Sequence, residues 1–173
     1  MMTVPREIFL QPGDWHFRGP DLVLCTLLGS CIAIILWHPQ RRIGGMCHFL
    51  LPQRAAAQKA ILDGRYGEEA VAALSAALRQ EHSNPAEYHC KIFGGGNMLS
   101  SGNGGDSSPA EPCVDVACRN VRAAVQLVRD AGFILHALHT GGKGHRNLRF
   151  DLQNGEVLLR FSGRDAQVWR RGS

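Results

Sequence analysis

The chain has 173 residues, of which 45% are hydrophobic and 20% are charged, and these values are typical of a folded globular domain rather than a disordered chain. That length is enough to bury one hydrophobic core, so we expect a single domain over residues 1–173. The formal net charge of +4 is small, and the basic pairs at 41–42 and 170–171 are not interleaved with aromatic residues, which argues against nucleic-acid binding.

Membrane insertion is not expected either. The longest apolar run, Cys31 to Trp37, is much shorter than the ~20 residues that a membrane-spanning helix needs, and the N-terminus has no secretory signal pattern. We therefore expect a cytoplasmic protein. A cytosolic domain of this size does not need disulfides, so we expect all six cysteines to be free thiols: Cys25, Cys31, Cys47, Cys90, Cys113 and Cys118.

The first third of the chain is predicted to be extended. Ile8 to Trp15 contains a Pro-Gly turn between two short stretches and is predicted to be an edge element. Leu22 to Leu28 is almost uninterruptedly apolar, which indicates a strand buried on both faces. Gly29-Ser30 ends that strand, and two further apolar runs, Cys31 to Trp37 and Ile43 to Leu51, flank a turn and predict a β-hairpin.

Two helices are predicted in the middle of the chain. Residues 66–81 place apolar side chains on one face and carry acidic residues at the start, which indicates an amphipathic helix. Asn120 to Asp130 repeats this pattern and ends at Gly132 in the manner of a helix C-cap. Between the helices, Lys91 to Phe93 is a short strand that runs into a glycine loop, and Ser100 to Pro112 is a polar loop.

The last third is predicted to be extended again. Phe133 to His139 predicts a strand and Thr140 to Gly144 a glycine loop, after which Leu148 to Leu152 and Val157 to Phe161 flank a turn containing Asn154-Gly155. The order of elements predicts a layered α+β or mixed α/β domain, and of these we favour a single α+β domain in which layered, mixed β-sheets are flanked by helices.

The hairpin brings a thiol and an imidazole together. If the hairpin is centred on Pro39-Gln40, Trp37 faces Arg42 and Cys31 faces His48. Directly opposed residues have Cβ atoms ~4.5 to 5.5 Å apart, close enough for a hydrogen bond between the two side chains. We therefore predict a Cys31–His48 pair on one face of the sheet.

Such a pair has a defined chemistry. An imidazole within reach of a thiol can accept its proton, which makes Cys31 a candidate nucleophile. Gly29 and Ser30 permit an irregular backbone whose N–H groups could stabilise a developing oxyanion, so attack on a carbonyl is the expected reaction. A cysteine in an apolar run is otherwise usually a core residue, and we expect that role for Cys25, Cys90 and Cys47, the last of which points away from His48.

The same residues carry a family resemblance. The segments TLLGSCIAI, starting at Thr26, and GGMCHFLLP, ending at Pro52, resemble the chemoreceptor glutamine deamidases of the CheD family. Later motifs extend the similarity in the family's order: Phe93-Gly-Gly-Gly-Asn-Met98, Arg119-Asn120 and Thr140-Gly-Gly142. The resemblance covers about residues 8–161.

The resemblance implies a catalytic triad. Cys31 would be the nucleophile, His48 the general base and Thr26 the residue that orients the imidazole. Thr26 is preferred to its neighbour Cys25 because only the threonine has the required hydroxyl. The residues assigned to substrate or oxyanion contacts are Gly29, Ser30, Gly95 and Asn97.

The family reaction needs no metal or other cofactor. The thiolate attacks a glutamine side-chain amide, ammonia leaves, and water hydrolyses the thioester to glutamate. The implied substrate is the cytoplasmic helical surface of a chemoreceptor, and family members are also expected to bind the phosphatase CheC. Two alternatives remain open: a non-catalytic adaptation module that binds receptor or CheC, and a deamidase of some other protein.

Two departures from the family pattern bear on specificity. Val116-Ala117-Cys118 replaces the usual Ile-Gly before the Arg-Asn motif, and the Ser100 to Pro112 loop is longer than expected. The glycine clusters at 94–96 and 141–144 lack the spacing of a phosphate loop, and the histidines and cysteines lack zinc-ligand spacing, with the histidines expected to be exposed.

Overall fold

The computed structural model of the protein describes residues 4–55, 61–98, 113–163 and, for its backbone, 167–171. Within these ranges the chain forms ten strands, two α-helices and one short 3₁₀ helix. The strands are β1 (Arg6–Phe9), β2 (Trp15–Arg18), β3 (Leu22–Leu28), β4 (Ile32–His38), β5 (Ile43–Phe49), β6 (His89–Gly94), β7 (Ile134–Thr140), β8 (Arg146–Asp151), β9 (Val157–Phe161) and β10 (Gln167–Arg171), and the helices are α1 (Gly67–Gln80) and α2 (Val116–Asp130).

The strands form two mixed five-stranded sheets. The central sheet has the order β2-β5-β4-β6-β7, and the outer sheet has the order β1-β3-β8-β9-β10. The β1–β3 and β6–β7 pairs are parallel, and the other pairs are antiparallel. The predicted edge element around the Pro-Gly turn is therefore confirmed as β1 and β2, which lie at the edges of different sheets.

The sheets and helices form three layers because of how apolar residues are distributed. Every residue of β4 is buried, since this strand lies at the middle of the central sheet. One face of the central sheet packs against α1 and α2, and the other packs against the outer sheet. In β8 buried residues alternate with exposed ones, so this strand of the outer sheet has one solvated face. The predicted layered α+β class is confirmed.

The helices differ in how well their bounds were predicted. α1 lies where the amphipathic pattern placed it. α2 begins at Val116 rather than Asn120, because the carboxylate of Asp115 caps it by accepting the Cys118 N–H at 2.7 Å. Its end was predicted correctly, since Gly132 has the positive φ of +85° that a C-cap glycine supplies.

The remaining predicted strands are present in the structure. The strands predicted at 22–28, 31–37, 43–51, 91–93, 133–139, 148–152 and 157–161 are all present with small shifts of their ends, whereas β10 was missed. The predicted loop at 100–112 lies outside the described residues. No helix in the described ranges is long and apolar enough to cross a membrane.

The prediction of six free thiols is wrong for two of them. Cys113 and Cys118 form a disulfide, with their Cα atoms 5.4 Å apart at the start of α2. The turn that caps α2 brings the two side chains together, and their spacing lies within the ordinary range for a disulfide. The remaining four, Cys25, Cys31, Cys47 and Cys90, are free.

Candidate active site

The register of the β4–β5 hairpin differs from the prediction by two residues. Trp37 pairs with Gly44 and Ala33 pairs with His48, so Cys31 does not lie directly opposite His48. The turn is a four-residue loop between His38 and Ile43, closed by the Arg42 N–H on the His38 carbonyl at 2.9 Å. A shift of two residues keeps every side chain on its predicted face, because side chains alternate with a period of two.

Cys31 and His48 therefore still face the interface between the two sheets. Cys31 precedes β4 and packs against the apolar cluster that joins the sheets, on the same side as Ala33. It is half-buried, whereas His48 is only 2% exposed. The sulfur takes part in no hydrogen bond with the residues of the described ranges.

His48 is held by a hydroxyl from the outer sheet. Thr26, at 0% exposure in β3, places its Oγ1 2.8 Å from His48 Nδ1 and 2.8 Å from the carbonyl oxygen of Leu10. A carbonyl can only accept, so the single hydroxyl hydrogen of Thr26 goes to Leu10. The Thr26 oxygen then accepts from Nδ1–H, and this tautomer leaves Nε2 of His48 as an acceptor.

The free imidazole nitrogen is ready to take a proton. His48 Nε2 is buried and has no hydrogen-bond partner among the described residues. Burial lowers the pKa of His48, partly opposed by the Leu10 carbonyl and the charge of Asp14, while burial raises the pKa of the Cys31 thiol. The first shift favours a neutral imidazole and the second a neutral thiol near pH 7.

The loop before Cys31 is fixed by the glycine loop after β6. The Gly95 N–H donates to the Cys31 carbonyl at 2.9 Å, and the Gly96 N–H donates to the Gly29 carbonyl at 2.8 Å. Gly94 and Gly95 have positive φ, and a Cβ at Gly94 would collide with the Cys31 carbonyl oxygen. Only glycine permits this approach, which explains the glycine run.

Two predicted substrate or oxyanion residues have other partners. The N–H of Gly95 is already donated to the Cys31 carbonyl, so Gly95 supports the backbone of Cys31 and its amide cannot also serve an oxyanion. Asn97 donates its N–H to the Gly142 carbonyl at 2.8 Å and its side-chain amide to the Asp115 carboxylate at 3.3 Å. Gly29 and Ser30 are half-buried and immediately precede Cys31 in the chain, and their assignment to substrate or oxyanion contacts stays a prediction.

The other free cysteines lie apart from this site. Cys47 belongs to the apolar cluster under the helices, and burial raises its pKa to about 12. Cys25 hydrogen-bonds Glu7 at 3.3 Å, and burial together with that carboxylate raises its pKa to about 12. Because Cys25 and Thr26 are consecutive in β3, only the Thr26 side chain faces His48.

Three contributors to the site were missed at the sequence level. They are the Leu10 carbonyl, the buried Asn120 amide, and Arg146, which donates to His139 Nδ1 at 2.9 Å and to the Gly141 carbonyl at 2.7 Å. Burial lowers the pKa of Arg146 to about 10, so it stays charged at pH 7 while supporting the Thr140–Gly144 loop. Asn120 and Arg146 could have been suspected, since both stand within or near family motifs.

Other features of the surface do not contribute to the site. A cavity of about 290 Å³ contains none of the predicted site residues; its lining is Arg6, Ile8, His16, Arg18, Gly19, Asp21 and Leu22. His136 and His145 are exposed as expected, but His139 is half-buried because it accepts from Arg146. The described residues include no cluster of potential metal ligands.

A half-buried thiol lies on the same sheet face as an imidazole that a threonine orients, and thiol-based acyl transfer uses groups of these kinds. The sequence profile described as "CheD chemotactic sensory transduction" matches residues 50–161. The chain is 42% identical to "Probable chemoreceptor glutamine deamidase CheD 3" of Dechloromonas aromatica over 163 residues, which covers 94% of this chain and 92% of the relative. The chain belongs to the CheD family, as predicted.

Other relatives agree with this result. A CheD of the same description from Pseudomonas syringae pv. tomato is 44% identical over 154 residues, covering 89% of this chain and 88% of the relative. The profile match begins after His48, but the Dechloromonas match is too long to leave out Thr26 to His48. A crystal structure of the Bacillus licheniformis hypothetical protein YfiH aligns with a TM-score of 0.41 and 16% identity, covering 80% of this chain and 60% of that one.

Proposed function

We propose that this protein is a chemoreceptor glutamine deamidase that uses Cys31, His48 and Thr26. The observation that carries the proposal is the buried Thr26–His48 hydrogen bond, which leaves His48 Nε2 free on the same sheet face as Cys31. The CheD relatives are named probable chemoreceptor glutamine deamidases, which supports the substrate class.

The first half of the reaction is acyl transfer to the enzyme. His48 Nε2 takes the proton of the Cys31 thiol as the sulfur attacks the carbon of the glutamine side-chain amide. The tetrahedral intermediate collapses when the C–N bond breaks and His48 returns the proton to the leaving nitrogen. Ammonia departs, and the receptor side chain is held as a thioester on Cys31.

The second half regenerates the thiol. His48 takes a proton from a water molecule, whose oxygen attacks the thioester carbon, and the C–S bond then breaks. The proton on His48 returns to sulfur, and the product is a glutamate side chain. Through its hydrogen bond to Nδ1–H, Thr26 keeps Nε2 in the acceptor form for both halves.

The substrate is a glutamine on the cytoplasmic helices of a chemoreceptor, so the protein acts in the cytoplasm. Each turnover converts a neutral side chain to a carboxylate, which changes the charge on a helical surface. Gly29 and Ser30 border Cys31 and contact the bound amide. The phosphatase CheC is a second partner in this proposal. Co-elution of a mixture of purified CheC and this protein from a size-exclusion column tests it.

Peptide mass mapping of a receptor cytoplasmic fragment tests this proposal. After incubation with the wild-type protein, specific glutamines should gain the mass that accompanies replacement of an amide by an acid, with release of an equal amount of ammonia. The Cys31→Ala variant should leave the same peptides unchanged. Wild-type protein that binds the fragment but modifies no glutamine would instead identify a binding module.

A further inference from the structure

Asn120 joins the backbone around the nucleophile to the strand that carries the base. Its side chain is 0% exposed, and Nδ2 donates to the Ser30 carbonyl at 3.1 Å and to the Leu50 carbonyl at 2.7 Å. Ser30 immediately precedes Cys31, and Leu50 lies two residues after His48. One carboxamide on α2 therefore spans the two segments that supply the catalytic side chains.

The orientation of this carboxamide follows from its neighbours. Both contacts are carbonyl oxygens, which can only accept, so the amino group of Asn120 faces them. The other end, Oδ1, is buried and has no hydrogen-bond partner within the described ranges. A buried acceptor without a partner destabilises the fold. The two hydrogen bonds that Nδ2 donates are therefore what an asparagine contributes at this position.

The two hydrogen bonds from Asn120, to the Ser30 and Leu50 carbonyls, form a clamp, and the one to Ser30 determines the direction of the Cys31 N–H. In a trans peptide the C=O and the following N–H point in opposite directions, so fixing the Ser30 carbonyl directs the Cys31 N–H away from Asn120. The Cys31 carbonyl is fixed separately by Gly95. The Cys31 N–H itself donates to no other residue in the described part of the chain.

We propose that Asn120 is a positioning residue that holds the Ser30–Cys31 peptide so that the Cys31 N–H donates to the oxyanion formed on the glutamine amide. This inference rests on the proposed deamidase function and adds the oxyanion donor and its support. Asn120 does not touch the substrate. Its effect is exerted through the backbone of Cys31, so it should alter kcat rather than substrate binding.

Two substitutions at Asn120 test the clamp. Asn120→Asp keeps the shape but removes the amino group, and Asn120→Leu removes all polarity at similar volume. Both should lower kcat for receptor-fragment deamidation about 10- to 100-fold, the order expected when an oxyanion donor is misdirected, with KM changed less than about threefold. Asn147→Asp, at an exposed position of β8, is the matched control and should leave both constants unchanged.

Alkylation of Cys31 by iodoacetamide separates this role from general loosening of the site. Alkylation forms no oxyanion, so its rate should stay within about threefold of the wild type in both Asn120 variants. A parallel fall of alkylation and kcat would overturn the inference, as would an unchanged kcat in Asn120→Asp. Wild-type protein that deamidates no receptor glutamine would contradict the proposed function instead.

The inference can also be tested on the wild-type protein, so that the test does not depend on whether the Asn120 variants fold. A receptor peptide in which an aldehyde replaces the glutamine side-chain amide should form a hemithioacetal with Cys31 and place an oxygen at the oxyanion position. The Cys31 amide proton should then move downfield in the NMR spectrum, as expected for a new hydrogen bond. An unmoved Cys31 amide resonance in the adduct would overturn the inference.

Discussion

Each face of the β4–β5 hairpin carries a free cysteine, but the two cysteines have different surroundings. Cys47 points toward the helices into a wholly apolar cluster, and its thiol has a pKa of about 12. The next residue, His48, points toward the outer sheet, into the interface between the sheets that Thr26 and the half-buried Cys31 also face. Strand alternation therefore separates two environments, one that buries a thiol among apolar side chains and one that holds a more accessible thiol and an imidazole.

The largest expected loss of activity comes from replacing Cys31, and no such loss is expected from replacing Cys47. Cys31→Ala should lower kcat for receptor deamidation by about 10³-fold or more, because it removes the atom that forms the thioester. Cys47→Ala is the matched control and should retain activity, with a loss of stability measured by thermal unfolding. Equal losses of activity in the two variants would remove the distinction between the faces.

His48→Ala should have the next largest effect. Removing the proton acceptor should lower kcat by about 10²- to 10⁴-fold, the usual contribution of a general base. His38, on the same hairpin and 3% exposed, provides the comparison, since His38→Ala leaves the thiol and its base in place. Ammonia release measures both, and normal turnover in His48→Ala would contradict the assigned base.

Thr26 connects the outer sheet to the imidazole, and its hydroxyl can be removed with little change of shape. Thr26→Val should lower kcat about tenfold or more, because it no longer fixes the imidazole tautomer. It should also cost about 1–3 kcal/mol of unfolding free energy, since buried polar groups lose a partner. Thr26→Ser keeps the hydroxyl and should behave like the wild type; if Thr26→Val does so too, the hydroxyl has no role.

The pH dependence reports the protonation of His48. Protonated imidazole cannot accept the thiol proton, and burial lowers the pKa of His48 from its ordinary 6.5. Activity should therefore persist as the pH falls to 6.5 and decline only below it. A decline of kcat/KM that begins above pH 7 and follows a single proton would show that the pKa of His48 is raised rather than lowered.

The smallest effect on activity is expected at the disulfide. Under denaturing, non-reducing conditions a thiol titration should find the four free cysteines and not all six. Replacing Cys113 and Cys118 together by serine should cost about 2 kcal/mol of unfolding free energy, the order expected for closing so short a loop. Deamidation should change little, because the disulfide lies at the start of α2 and neither cysteine is assigned a part in the reaction. Six reactive thiols would contradict the bond.

Much of the fold could be predicted because local patterns decided it. Apolar runs located β3 and β4, and amphipathic spacing located α1. The hairpin register could not be obtained in this way, because it depended on Arg42 adopting a φ of +52° and closing a four-residue loop. The start of α2 was missed because the Asp115 cap, and not an apolar period, determines where that helix begins.

The site was predictable to the extent that its residues are close in sequence. Alternation along β3 and β5 separates Thr26 from Cys25 and His48 from Cys47, and a two-residue register error leaves both distinctions intact. The Leu10 carbonyl and the Asn120 amide depend on contacts across 16 to 90 positions of the chain. No local pattern indicates which distant group will satisfy a buried hydroxyl or carbonyl.

Trapping the acyl-enzyme tests the central assignment most directly. A receptor fragment and the wild-type protein, quenched in acid during turnover and digested, should yield a receptor peptide joined through a thioester to the peptide that contains Cys31. Hydroxylamine should release that peptide, and no such adduct should form with Cys31→Ala. An adduct on the Cys47 peptide, or deamidation that proceeds in Cys31→Ala, would contradict the account.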